Sequence, residues 1–176
     1  MSDLRYPIGP TPRVETLTAA ERAEALDALE AAPAALRAAV SGLSEAQLDT
    51  PYRPGGWTVR QLVHHVPDSH LNAYTRFKLG LTEEQPLIRT YEEQIWAEQP
   101  EARTAPIEIS LVLLEAIHRR WVLALQSLPE EAWRRTIRHP DWGVMTLEGL
   151  LAMYAWHGRH HVAHVTRLRE REGWSA

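Results

Sequence analysis

The stretch GGWTVRQLVHHVPDSHLNAYTRFKLG, residues 55–80, decides the fold. Thr58 followed three residues later by Gln61 is a capping box, in which each side chain satisfies a backbone N–H that the first helical turn leaves open. Behind it Val59, Leu62, Val63, Val66, Ala73 and Phe77 recur at three- and four-residue intervals, so a helix starts at Val59 and carries one apolar stripe to about Gly80. Trp57 stands where it can staple onto Leu62, and the Pro- and Gly-rich run before it bars an earlier start. Pro67 falls inside the pattern and predicts a kink.

The same signals recur on either side. Thr18 and Glu21 form a box that opens a helix carrying Leu26, Leu29, Leu36 and Val40, with Pro33 expected to bend or interrupt it. Ser44 and Gln47 open a short turn. Residues 81–106, with prolines at 86, 100 and 106, read as a long crossover with one short helix around Tyr91–Trp96. Leu111, Leu114, Ile117, Trp121, Leu125 and Leu128 mark a third long helix from about Ile107. PEEAWRR is a short acidic-first helix and HPDWGVMT a turn or small hairpin, after which Thr146 caps a last long helix, LEGLLAMYAWHGRHHVAHVTRLRERE. Four long helices and one crossover predict an all-α four-helix bundle, a single domain over residues 1–176 with residues 1–17 as an N-terminal arm.

Composition narrows the chemistry. The net charge of −4 leaves no broad positive field, so nucleic acid is not an expected partner. The sequence has no Cys, which confines any metal site to nitrogen and oxygen donors. No apolar run is long enough for a secretion signal or a membrane span; the expectation is a soluble, cytoplasmic protein with no membrane partner.

Seven of the nine histidines gather in two groups, His64, His65 and His70 on the second long helix, and His157, His160, His161 and His164 on the last. A single helical histidine is more often a solvated or core residue than a ligand. Pairs at i and i+4 differ, because their rings converge on one point of a helix face. The last helix offers two such pairs, and rotation of about 100° per residue chooses between them. Against the stripe of Leu147, Leu150, Leu151, Tyr154, Val165 and Leu168, His161 falls about 25° and His157 about 65° from the centre, His164 about 85° and His160 about 125°. The inward pair is His157 and His161, with Gly158 leaving room between them. A third ligand must come from another helix, and on the second helix periodicity leaves His65 and His70 as rivals.

The segments LDTPYRPGGWTVRQLVHHVPDSHLNAYTRFKLGLTEE and YAWHGRHHVAHVTRL resemble the DinB superfamily, specifically its YfiT-like branch of proposed metal-dependent hydrolases, and the likeness extends over nearly the whole chain. The resemblance implies an antiparallel four-helix bundle, often a homodimer, that holds one divalent ion. It puts the first ligand on the His ending the WTxxQxxxH stretch, here His65, and the others on His157 and His161. Pro67 departs from the Ala that relatives usually keep in HHLADSH.

Three neutral imidazoles leave a divalent ion an open position, and zinc and nickel both suit such donors. Asp68, one turn after His65, is the candidate general base or orienting group. The leading expectation is hydrolysis of a small amide or ester; the alternatives are transfer involving a low-molecular-weight thiol such as bacillithiol, which the resemblance also suggests, and non-catalytic metal or ligand binding. Arg76, Lys78, Arg89 and Trp156 are rim candidates for an anionic substrate, with surface solvation the commoner fate of such residues. The tryptophans at 57, 121, 133, 142 and 156 are expected as core or interface fillers.

Overall fold

The computed structural model describes residues 3–174. Its elements are α1 (Ala19–Val40), α2 (Glu45–Leu48), α3 (Val59–Thr82), α4 (Glu93–Ala97), α5 (Pro100–Thr104), α6 (Ile107–Gln126), a 3-10 turn (Glu130–Arg134), a hairpin of β1 (Thr136–His139) and β2 (Gly143–Thr146), and α7 (Leu147–Glu172). Both halves of the capping boxes at Thr18, Ser44 and Thr58 are made, and the Thr146 hydroxyl accepts from Gly149 N–H. Pro33 does not interrupt α1; it is buried within a continuous helix, and α3 likewise runs unbroken past Pro67. The crossover holds a second short helix, α5, which sequence periodicity over so few residues does not signal. No helix among the described residues is long and apolar enough to cross a membrane.

Contacts between the long helices give their directions. Arg22 pairs with Glu148, Ala32 lies against Gly158, and the Ala39 carbonyl accepts from Arg169, so the numbers rise together and α1 runs parallel to α7. His64 meets Ser110 and His70 meets His118, which makes α3 and α6 parallel as well. Leu29 meets His118 while Arg37 meets Glu108, and Arg76 meets Tyr154 while His70 meets His157; α1 is therefore antiparallel to α6, and α3 to α7. Going round the bundle the order is α1, α7, α3, α6, and the two helices of each parallel neighbouring pair are not consecutive long helices except α3 and α6. Parallel neighbours cannot be joined by a short turn, and this is why the chain needs the crossover of residues 83–106.

The apolar interior is divided. One half gathers Leu29, Phe77, Trp121, Leu125, Ile137, Leu150 and Leu151, the other Leu36, Leu62, Val63, Val66, Leu114, Val165 and Leu168. Between them lies a polar waist to which α3, α6 and α7 contribute His65, His70, His118, His157 and His161. Gly158 sits at this waist because an added Cβ would stand 3.0 Å from the Ala32 Cβ, so glycine lets α1 and α7 approach there.

Candidate metal centre

α3 presents His65 to the antiparallel face of α7, where His157 and His161 stand one turn apart. One donor atom from each of the three lies within 4.8 Å of the others. His157 Nε2 and His161 Nε2 are 3.2 Å apart. Two nitrogens bound about 2.0–2.1 Å from a tetrahedral ion stand about 3.3–3.4 Å apart, so this spacing fits a shared cation. Burial holds the His65 imidazole neutral, its pKa pushed down to about 3, and burial with neighbouring imidazoles drives His157 and His161 well below the ordinary histidine range. Neutral rings are the form that ligates a metal.

A line of hydrogen bonds runs inward from this group. His157 Nδ1 is 3.0 Å from His70 Nε2, His70 Nδ1 is 2.7 Å from His118 Nε2, and His118 Nδ1 is 2.6 Å from the Leu29 carbonyl oxygen. The carbonyl can only accept, so His118 carries its proton on Nδ1. Its bare Nε2 then accepts from His70 Nδ1–H, whose bare Nε2 accepts from His157 Nδ1–H. The proton positions of three rings follow from one backbone oxygen, and they leave His157 Nε2 as a lone pair facing the candidate site. Burial favours the neutral rings this chain requires: His118 is pushed down to about 4 and His70 well below the usual value.

His65 and His70, rivals by periodicity, are thereby separated. His65 joins the convergent triad, and His70 lies one layer deeper, fully buried. His64 is used elsewhere, holding Ser110 of α6 at 2.7 Å and the Ala105 carbonyl at 3.2 Å. His160 and His164, which the helical wheel sets outside the inward pair, are both buried and line the same cavity as the triad. They are covered by parts of the chain that a wheel does not contain: Tyr6 of the arm approaches His160, and the Tyr52 ring lies 4.2 Å from that of His164.

The triad opens into a pocket of about 690 Å³. Its walls come from the N-terminal arm (Arg5, Thr11), the loop before α3 (Tyr52, Arg53, Trp57), the crossover (Thr90–Gln94), the hairpin (His139, Asp141, Trp142) and α7 (Tyr154, Trp156). Three of the tryptophans expected as fillers, 57, 142 and 156, line this pocket, whereas Trp121 and Trp133 are core residues. Of the rim candidates, Arg76 and Trp156 line it; the side chains of Lys78 and Arg89 are exposed. Asp68 is not among the lining residues. Its carboxyl is half-buried on the side of α3 facing α5, where burial and the charge of Glu101 raise its pKa to about 6. The arm is fixed along α7 by Leu17 N–H donating to Glu148 and the Thr146 hydroxyl donating to the Glu15 carbonyl at 2.6 Å.

The bundle and its three-histidine cluster define a class of helical protein built around a candidate metal centre. The DinB superfamily model matches residues 28–165, and the chain belongs to that superfamily. It is 49% identical over 174 residues to a protein of Bacillus mycoides and 50% identical over 174 residues to one of Bacillus cereus, covering 99% of this chain and all of each relative; both are provisionally named metal-dependent hydrolases. Among solved structures, YfiT from Bacillus subtilis, described as a probable metal-dependent hydrolase with an unusual four-helix bundle topology, superposes with a TM-score of 0.95 at 47% identity over 98% of this chain and 99% of that one. The four-helix bundle protein TT2238, at 24% identity and a TM-score of 0.54 over 80% of this chain and 94% of that one, shares the fold.

Proposed function

We propose that this chain is a metal-dependent hydrolase in which His65, His157 and His161 hold one divalent ion, zinc or nickel, at the floor of the pocket, and that it acts on a small amide or ester. The observation that carries this reading is the convergence of three neutral imidazole donors within 4.8 Å at the base of an open pocket. Three protein ligands are the number that catalytic zinc sites use while keeping a position free. When bound, such an ion polarises a carbonyl and brings a coordinated water's pKa toward neutrality. The provisional names of the Bacillus relatives agree with hydrolysis.

The protein's residues supply positioning. The hydrogen bond from His157 to His70 fixes the rotation of the ligand ring. Trp57 packs its ring 4.6 Å from that of His65 and anchors its indole N–H on Gln94 of the crossover, shielding one side of the triad from water. Asp68 does not line the pocket, although its charge reaches Tyr91 of the pocket wall.

The test is purification without an affinity tag, metal analysis, and turnover of a panel of small esters and amides by zinc-loaded and nickel-loaded protein. One metal per chain and hydrolysis that disappears in His161→Ala, with helical content retained, is the expected result. Metal-dependent conjugation of bacillithiol to monochlorobimane without hydrolysis would replace hydrolysis by thiol transfer. Metal uptake with neither activity would make the protein a binder.

A further inference from the structure

Four arginines among the described residues are buried to a similar degree: Arg22 is 9% exposed, Arg60 3%, Arg76 7% and Arg169 8%. Two of them are neutralised in place. Arg22 binds Glu130 and Glu148, and Arg60 binds Glu45 and Asp49. Arg76 makes no ion pair with any carboxylate among the described residues. Its guanidinium donates from Nη1 to the Tyr154 hydroxyl at 3.0 Å and from Nη2 to the Arg89 carbonyl at 3.0 Å, both neutral acceptors, and Nε is enclosed with no partner. A buried cation whose hydrogen bonds all go to neutral acceptors, with no carboxylate in direct contact, is disfavoured unless an anion completes it. The residue lines the same pocket as the three ligand histidines, so an anion entering that pocket can reach it.

We infer that Arg76 is the receptor for an oxyanion carried by the substrate, a monoanionic carboxylate by preference, set apart from the group that is cleaved. This deepens the hydrolase reading and rests on it for the word substrate. Arginine suits the role because its planar fork matches a carboxylate, and the two bonds to Tyr154 and Arg89 hold that plane fixed before anything binds. Trp156 Nε1, another buried polar atom of the pocket, has no hydrogen-bond partner. The charges around Arg76 favour one negative charge over two. Glu93 is close enough that Arg76 opposes the rise which burial imposes on its pKa, so a dianionic phosphate at Arg76 meets like charge that a carboxylate meets less strongly, while the pocket's other arginines, Arg5 and Arg53, stand on the arm and on the loop before α3.

The test uses the full chain after treatment with a chelator, so that no metal competes for the probe. N-acetylglycine, its neutral isostere N-acetylglycinamide and inorganic phosphate are titrated against the fluorescence of the pocket tryptophans. The expected result is a preference of tenfold or more for the carboxylate over the amide, with phosphate weaker than the carboxylate. Arg76→Leu and Arg76→Gln should each reduce that preference to less than twofold while helical circular dichroism is retained, and Arg76→Lys should keep part of it. Equal or undetectable binding of carboxylate and amide by the wild-type protein, or a preference that survives in whichever neutral variant folds, overturns the proposal; phosphate binding more tightly than N-acetylglycine overturns the choice of carboxylate. Metal content is measured separately. Zinc uptake without a carboxylate preference defeats this inference alone, and a carboxylate preference without zinc uptake defeats the metal reading alone.

Discussion

His157 Nδ1 lies 3.0 Å from His70 Nε2, and through His118 the line of imidazoles ends 2.6 Å from the Leu29 carbonyl on α1, so a backbone oxygen of one helix sets the protonation pattern of a candidate ligand on another. Breaking this line far from the ligand should weaken metal binding. His118→Leu leaves His70 free to turn over, and the expected loss is about 10–100-fold in zinc affinity, the usual cost of removing an orienting partner. His118→Gln, whose amide can donate to Leu29 O and accept from His70, should recover part of it. Competition against a fluorescent chelator reads both; equal affinities for the two variants would show that His118 acts only as filler.

Metal should stabilise the fold, because it binds the folded triad and not the dispersed one. At a free zinc concentration 100 times Kd the gain is about 2.7 kcal/mol, which for a domain of this size is a rise of about 5–10 °C in Tm. His161→Ala should melt at the same temperature with and without zinc. A scanning calorimeter decides it.

Asp68 carries its carboxyl in a half-buried site that favours the neutral acid, with a pKa of about 6 against 3.8 for a free group. The folded protein is therefore relatively more stable below pH 4, and this contribution is lost as the pH climbs through 6. Asp68→Asn removes the charge, so the variant should melt higher than wild type at pH 8 and equal to it near pH 4. A difference that does not change with pH would mean that Asp68 ionises without penalty.

Gly149 is where the arm crosses α7, and a Cβ there would stand 2.5 Å from the Val14 carbonyl oxygen. Gly149→Ala should lift the arm, although alanine is ordinarily the better helix former by about 1 kcal/mol. Cleavage by trypsin after Arg5 and Arg13 should quicken several-fold while the bundle stays intact. Unchanged cleavage would show that the arm shifts to accommodate the methyl group.

The capping boxes and apolar stripes made the four long helices legible, because each is a local signal read within a few residues. The pairing of His157 with His161 was legible for the same reason. Periodicity could not choose between His65 and His70, and only the family resemblance favoured His65, because the depth that separates them depends on where α6 brings His118. Angles around one helix also could not foresee His160 and His164 buried beneath other segments, Trp142 carried to the pocket by the hairpin, or Asp68 turned toward α5. Arg76 looked like a surface residue because nothing near it in sequence announces the Arg89 carbonyl that receives it.

The parallel placement of α3 beside α6 obliges the chain to travel the length of the bundle between them, and residues 90–94 of that return journey form part of the pocket wall. Connectivity thus delivers a stretch of pocket wall that contributes none of the three converging imidazoles. Replacing that segment would reshape the cavity while leaving the three candidate donors in place.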